Sequence, residues 1–206
     1  MKTNILLTGM AAVMATAGMA NAQEYRPFVG ATIGLQGIEY ADATNTNARY
    51  SYWDLPDDFM SFGLEAGVRV GQHDQIYNGG VTVNVDFSSE SDIEQKFSHI
   101  KVADLETFNL TATYDNYVRL SGDKAKRIDL VLGIGGGTMN YRLHTISPLY
   151  QGETVYSPAV AFKVGVDFEL TKNLTLSANT RVFVPTRDKY SIESTYVVGG
   201  AVKWLF

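Results

Sequence analysis

The strongest constraint on the fold is the strict alternation of residue types in the carboxyl-terminal segment, residues 195–206. One of its two faces is apolar and aromatic, and the chain ends on an aromatic side chain. The residues of that face are Tyr196, Val198, Gly200, Val202, Trp204 and Phe206. Successive side chains of a β-strand point to opposite faces, so the segment is predicted to be a closing strand with one continuous apolar face.

The same period of two recurs through most of the chain. The predicted strands cover residues 28–36, 61–70, 81–88, 107–119, 128–134, 160–170, 174–184 and 195–206. The sixth strand shows the pattern most clearly, because Val164 and its apolar partners at every second position oppose a face that contains Lys163 and Asp167. In the fifth, Gly135-Gly136-Gly137 predicts a bulge or bend, which leaves the faces beyond Gly137 open. Eight amphipathic strands predict an all-β fold, a transmembrane antiparallel up-and-down β-barrel.

The connections between the predicted strands alternate in length. The longer ones lie near residues 40–58, 89–104, 144–155 and 186–190, although the last of these is short. The shorter ones lie near 72–76, 121–127 and 171–173. Bacterial membrane barrels have short periplasmic turns and longer extracellular loops, so the first group is predicted to lie outside the cell.

The amino-terminal segment has the pattern of an export signal. Lys2 supplies a positive charge, residues 5–18 are mostly apolar, and Ala20-Asn21-Ala22 matches a cleavage site with small residues. The apolar stretch is shorter than the roughly 20 residues of a membrane-spanning helix. We therefore expect residues 1–22 to be a signal peptide and residues 23–206 to form the barrel domain, and an uncleaved amino-terminal anchor is the alternative.

Composition excludes several classes of function. Residues 1–22 hold one of the 17 basic residues and none of the 22 acidic ones, so the predicted barrel domain is acidic and nucleic acid is not an expected partner. The chain has no cysteine, which excludes disulfides and thiolate metal sites. Its three histidines are scattered along the sequence and do not form a zinc motif. We expect no cofactor and no metal.

Together these features resemble the small eight-stranded outer-membrane barrels of the OmpA and OmpX type. The resemblance covers nearly all of residues 23–206 and rests on the export signal, the strand count, the turn at Leu170–Leu174 and the terminal Phe206. The family's terminal signal often has glycine five residues before the last aromatic, where this chain has Ala201. The resemblance implies a monomer in the outer membrane of a Gram-negative bacterium. It also implies that the barrel-assembly machinery inserts it through Tyr196, Val198, Val202, Trp204 and Phe206.

Charged residues are predicted on the inner face of the barrel in nearly balanced numbers. An eight-stranded barrel has an interior just wide enough to be filled by side chains, and buried charges left without partners are costly. We therefore expect a polar plug of paired charges, and a narrow ion path is the alternative. The predicted network is Arg26, Glu65, Arg69, Asp86, Asp115, Arg119, Asp129, Lys163, Asp167, Glu169, Arg181, Glu193 and Lys203.

The first long loop is rich in aromatic and acidic residues. Tyrosine and tryptophan are favoured at protein interfaces, so this loop is a candidate recognition surface. Its candidate residues are Tyr50, Tyr52, Trp53, Asp57 and Asp58. The alternative is an aromatic girdle at the level of the lipid headgroups. The expected function is structural or adhesive, with outer-membrane lipid, lipopolysaccharide and an unknown extracellular ligand as partners.

An enzyme that modifies outer-leaflet lipids is the other alternative, because some similar barrels use histidine, serine and an acid. His99 is adjacent to Ser98, and His144 is near Ser147, both at predicted outer-loop positions. Catalysis requires a base that contacts a nucleophile and is oriented by a third group, and closeness in sequence provides neither. We therefore predict no catalytic residue and no enzymatic activity.

Overall fold

Long antiparallel strands form almost all of the described chain in the computed structural model. The structure describes residues 24–40, 53–54, 58–72, 74–95, 101–121, 126–145, 153–186 and 192–206. Its strands are β1 (Tyr25–Tyr40), β2 (Trp53–Asp54), β3 (Asp58–Val70), β4 (Tyr77–Gln95), β5 (Lys101–Ser121), β6 (Ile128–Thr145), β7 (Glu153–Glu169), β8 (Leu174–Pro185) and β9 (Ile192–Leu205). Within these ranges, no helix is long and apolar enough to cross a membrane.

Eight of these strands close into a barrel. Each long strand pairs antiparallel with the next long strand in the chain, and β1 pairs with β9 to complete the cylinder. Along this seam, Val29 lies opposite Trp204 and Ala31 lies opposite Val202. Closure gives both edges of the sheet a partner, which removes the exposed edges of an open sheet. The predicted all-β, eight-stranded antiparallel barrel is confirmed.

Side chains alternate between the two faces along every long strand. On β7, Lys163 and Asp167 are buried inside the barrel, whereas Val164 and Phe168 are exposed outside it. The other strands show the same alternation, with charged and hydroxyl side chains inside and Val, Ile, Leu and Phe outside for most of their length. The face assignments made from the sequence are confirmed for these positions.

The strands are longer at one end than the alternation suggested. Most of the predicted loop at 89–104 is strand, because β4 continues to Gln95 and β5 already begins at Lys101. Pairing of Ile93 with Ala103 holds these extensions together, with register shifts on either side of Ile93. β2, which falls in the predicted first loop, pairs with the end of β4 through Trp53 and Gln95.

The predicted bulge at the three glycines is absent from the strand register. β6 pairs with β7 from Ile128 to Leu143 without a shift, and pairing with β5 is also continuous through Gly135, Gly136 and Gly137. Beyond the glycines, Met139 and Tyr141 are buried inside the barrel. A Cβ at Gly135 or Gly137 would meet the backbone of β5, so glycine allows the two strands to approach closely here.

Candidate functional site: the lumen and the two ends of the barrel

The barrel has two chemically different ends. We call the end where β1 begins and β9 finishes the terminal end, and the opposite one the loop end. A short turn at the terminal end joins β7 to β8, where the Leu170 and Thr171 amides both donate to the carbonyl of Leu174. Thr171 also accepts hydrogen bonds from the amides of Asn173 and Leu174. Each end therefore presents a different set of side chains to its surroundings.

Ion pairs fill the lumen near the terminal end. Arg69 contacts Asp129 at 2.6 Å and Glu169 at 3.4 Å. Arg26 contacts the same Glu169 at 3.0 Å, and Arg127 contacts Asp129 at 2.7 Å. Each carboxylate thus bridges two guanidinium groups, which offsets the cost of burying these charges.

Arg127 belongs to this cluster although the sequence placed it in a turn. It precedes β6 by one residue, yet its side chain is completely buried and faces the lumen, like that of Asp129 two residues later. Continuing the alternation of β6 backward by two residues would have found it. Burial lowers the pKa of the Arg127 guanidinium, the nearby Arg69 charge lowers that pKa further, and Asp129 opposes both effects.

Separate ion pairs occupy the middle of the lumen. Lys163 contacts Asp115 at 2.8 Å, and Arg181 contacts Asp86 at 2.7 Å. All four side chains are almost completely buried. Thr82 donates a second hydrogen bond to Asp115 at 2.7 Å. The Asp115 carboxylate therefore has both a counter-charge and a neutral donor.

A third mid-lumen cluster is centred on Lys203. Its ammonium contacts Asp167 at 3.1 Å and Glu65 at 3.7 Å. Ser177 also donates to Asp167, at 2.6 Å. Lys203 is on β9, so this cluster connects the closing strand to β3 and β7.

Glycines on the inner face make room for these carboxylates. A Cβ at Gly63 would lie 2.6 Å from Asp86 Oδ1, and one at Gly30 would lie 3.0 Å from Glu65 Cγ. A Cβ at Gly133 would overlap the Asp115 carboxylate. At Gly30 and Gly63 the Cβ would also meet a backbone carbonyl of the neighbouring strand, so lack of space, from both backbone and side chains, accounts for glycine at these positions.

Above the ion pairs, a layer of amide and hydroxyl groups crosses the lumen. Gln36 Oε1 accepts hydrogen bonds from Ser88 at 3.0 Å, Thr107 at 3.2 Å and Asn109 at 3.2 Å. Ser88 and Thr107 also contact each other at 2.5 Å. This neutral layer ties β1, β4 and β5 together inside the barrel.

Toward the loop end, the inner face becomes apolar. The buried cluster consists of Ile38, Phe59, Ile93, Ala103, Leu105, Met139, Tyr141, Ala159, Ala161, Phe183 and Val197. We call it the apolar cap. Polar residues such as Glu39, Asp58 and Glu106 occupy outward positions at the same level. The loop end thus has the polarity of a water-soluble barrel, which the sequence analysis missed because it assigned every apolar face to the outside.

Arg119 and Glu193 are the remaining two of the thirteen predicted network residues. Arg119 is half-buried at an inward-facing position of β5, and it lies opposite Asp129 of β6 in the strand register. Glu193 is on β9, but its side chain lies outside the described part of the structure. The other predicted network residues all take part in the described ion pairs.

The predicted insertion residues follow the outward face of the closing strand, and among the recognition residues the structure describes the side chain of Asp58. Tyr196, Val198, Val202, Trp204 and Phe206 share the outward face of the β9 segment, with Trp204 and Phe206 at the terminal end. Of the candidate recognition residues, Asp58 opens β3 and is exposed. Trp53 is in β2, but its side chain is outside the described part, as are Tyr50, Tyr52 and Asp57.

His144 is the histidine that the structure describes. Its Nε2 lies 3.3 Å from the Glu106 carboxylate on the outer surface of the loop end. Ser89 is the register partner of the same Glu106, so the acid lies between the serine and the histidine. A catalytic triad requires the imidazole in the middle. His73 and His99 lie outside the described residues, among which no group of three potential metal ligands occurs.

Sequence comparisons identify no relative. No protein-family model matches the chain, and no curated protein sequence matches it. Solved structures, in contrast, match across most of the chain.

Three of these structures are outer-membrane proteins. Ail of Yersinia pestis, solved with the heparin analogue sucrose octasulfate, has 14% identity and a TM-score of 0.53, with 89% of this chain and 99% of Ail covered. A major outer membrane protein of Thermus thermophilus has 13% identity and a TM-score of 0.53, with coverages of 89% and 100%. OprG of Pseudomonas aeruginosa has 12% identity and a TM-score of 0.51, with coverages of 91% and 98%. The chain therefore has the fold of small outer-membrane barrels.

Proposed function

We propose that this protein is an integral outer-membrane barrel of a Gram-negative bacterium that acts through its loop end as a structural and surface-interaction protein. The observation that supports this most directly is the exposed apolar surface on the outward face of the long strands. Val29, Ile33, Leu64, Val164 and Val202 are each at least half exposed there. Exposed apolar surface of this extent is costly in water and favourable in lipid.

The height of the apolar surface matches a membrane. On β4 the outward apolar face extends from Tyr77 to Phe87, and on β1 it extends from Tyr25 to Leu35. These spans agree with the roughly 9–11 residues that a tilted strand needs to cross a bilayer. β5, with 21 residues, reaches about 50 Å along the barrel axis at a tilt of about 45°, roughly twice the apolar band of about 25 Å. The surplus lies at the loop end, which therefore projects from the membrane.

The proposal includes an orientation for the barrel. In our proposal, residues 1–22 are removed after export and the terminal end faces the periplasm. The exposed Trp204 and Phe206 then lie where the barrel-assembly machinery can recognise the closing strand. Short turns at the terminal end agree with the short periplasmic turns of such barrels.

The filled lumen supports a closed barrel. The ion pairs, the amide and hydroxyl layer and the apolar cap together occupy the interior from the terminal end to the loop end. Removing a charge would leave its partner buried without compensation, so the network favours a rigid plug over a conducting path. We therefore assign the lumen no transport function.

Charge at the loop end narrows the class of extracellular partner. Ail was solved with a sulfated polyanion, but the loop end of this barrel presents Glu39, Asp58 and Glu106 to solvent. Arg142 is also exposed there, and Asp104 is paired with Lys101. Acidic groups repel a polyanion and attract basic surfaces or divalent cations. The expected contacts are a basic protein surface and lipopolysaccharide bridged by divalent cations.

Refolding from urea tests this proposal. The chain should acquire β-structure and a heat-sensitive shift on a denaturing gel only when lipid vesicles are present, because its outer face needs lipid. Val164→Asp is the matched disruptive variant on that face, and Asp58→Asn is the matched control beyond the predicted membrane boundary. A compact, monomeric β-fold formed equally well in lipid-free buffer would contradict the proposal.

A further inference from the structure

A groove crosses the outward surface of β3 to β7 where the apolar face gives way to polar residues. Its volume is about 660 Å³, within the roughly 300–1,000 Å³ of typical small-molecule sites. We call it the rim groove. Most of its lining residues face outward. Ser88 and Thr107 of the amide and hydroxyl layer also line it, and Glu106 belongs to the acidic loop end as well.

An aromatic row forms the apolar side of the rim groove. Phe62, Phe87 and Phe108 follow one another across β3, β4 and β5 as register partners. The Phe87 and Phe108 rings lie 5.0 Å apart between centroids with an interplanar angle of 57°. These rings are outside the barrel, at the loop-end limit of the apolar surface. They form a surface suited to one hydrocarbon chain.

Two residues closer to the loop end along each strand, the next outward-facing side chains form a polar row. Ser89 on β4 lies opposite Glu106 on β5, Glu106 opposite Arg142 on β6, and Arg142 opposite Thr154 on β7. A negative and a positive side chain are thus neighbours between two hydroxyl groups. A ligand that matches this row needs both an anionic group and a cationic or hydroxyl donor.

Asn140 provides a further, independent polar group in the groove. Its Nδ2 donates to the carbonyl of Phe108 at 3.0 Å. Its Oδ1 is buried and has no hydrogen-bond partner within the described structure. A buried acceptor without a donor is unfavourable, so a ligand that supplies an N–H or O–H group here would be stabilised.

We propose that the rim groove binds one outer-leaflet lipid whose headgroup carries a phosphate and an ammonium group, as phosphoethanolamine does. The acyl chain lies along Phe62, Phe87 and Phe108. Arg142 binds the phosphate, and the ammonium donates to Asn140 Oδ1 and Glu106. This inference rests on the proposed function, because the groove meets the lipid headgroups only if the loop end faces the outer leaflet.

Native mass spectrometry of the folded barrel tests the site directly. The protein is titrated in detergent with dioleoylphosphatidylethanolamine or with dioleoylglycerol, which has the same chains and no phosphate or amine. We expect one retained phospholipid per barrel and about tenfold weaker retention of the diacylglycerol. Arg142→Gln should weaken phospholipid retention by about tenfold, the order expected for one charge-assisted hydrogen bond. Arg142→Lys should retain most of it.

Matched variants separate the groove from general surface effects. Lys101→Gln removes a cation from the same end of the barrel outside the groove, and it should leave retention unchanged. Phe87→Ala should weaken retention, whereas Phe168→Ala, exposed at the terminal end, should not. Equal retention of both lipids, or equal effects of Arg142→Gln and Lys101→Gln, would overturn the inference.

The outcome also distinguishes this inference from the proposed function. If the barrel folds in vesicles with its heat-sensitive gel shift but retains no phospholipid, the lipid site is wrong and the outer-membrane proposal stands. If the chain does not require lipid to fold, both are wrong. Each variant is first checked for the same gel shift, so a loss of retention refers to folded protein.

Discussion

The Lys163–Asp115 ion pair lies in the middle of the lumen, where its removal tests whether paired charges stabilise the barrel. Lys163 is 2% exposed and Asp115 is 0% exposed. Lys163→Met leaves the carboxylate buried with only Thr82 as a described donor. Breaking one side of a buried pair costs about 3–5 kcal/mol, which lowers the ratio of folded to unfolded protein by more than about 100-fold.

The double variant Lys163→Met, Asp115→Asn provides the comparison. It removes both charges and keeps an acceptor for Thr82, so it should recover most of the lost stability, since replacing a whole buried pair is often close to neutral. Val164→Met, on the lipid-facing side of the same strand, should change stability by less than about 0.5 kcal/mol.

The measurement is urea-induced unfolding of vesicle-embedded protein, followed by tryptophan fluorescence and by the gel shift. The free energy of unfolding at zero urea is compared between the single, double and control variants, provided the urea slope is unchanged. Equal losses of stability in the single and double variants would mean that Lys163 does not compensate the Asp115 charge.

Three further predictions address the outer face, the lumen and the closing strand. Val164→Asp should impair membrane assembly, because a charge on the lipid-facing side is costly: about 2–4 kcal/mol for a basic residue at the midplane, and somewhat less for an acid. Normal outer-membrane levels of the folded variant would reverse the face assignment. Purified protein in a planar bilayer should show no steady large conductance, because ion pairs fill the lumen, and stable high-conductance openings would exclude the plug. Deleting Phe206 or replacing Trp204 with Ser should leave export and signal cleavage intact but lower the heat-modifiable fraction in isolated outer membranes. An unchanged fraction after both changes would mean that the closing strand is not an insertion signal.

Sequence reasoning was most successful where one physical rule applies along a whole strand. β7 has apolar residues at alternate positions on its outer face and mostly polar residues between them, so both faces could be predicted from the sequence. The rule reverses at the loop end, where Ile38 and Phe183 point inward and Glu106 points outward. Because the reversal begins only near the loop end, alternation alone could not locate it, and the loop-end parts of β4 and β5 were interpreted as loop.

Contacts between distant strands were the other part that the sequence did not provide. The alternation of the sequence placed Lys203 on the inner face, but its contacts with Asp167 and Glu65 depend on how the strands are staggered around the closed barrel. The rim groove also depends on register, since Glu106 and Arg142 become neighbours only through the pairing of β5 with β6. Both are tertiary properties that no local sequence pattern encodes.

Site-specific labelling tests the central claim of a membrane-spanning barrel with an outward loop end. The chain has no cysteine, so a single introduced cysteine reports on one position. Asp58→Cys at the loop end, Lys172→Cys at the terminal end and Val164→Cys between them are each expressed in Gram-negative cells and exposed to a large, membrane-impermeant maleimide. We expect labelling at position 58 in intact cells, at 172 only after the outer membrane is permeabilised, and at 164 only after denaturation. Labelling of position 172 in intact cells, or of position 164 in the folded protein, would contradict it.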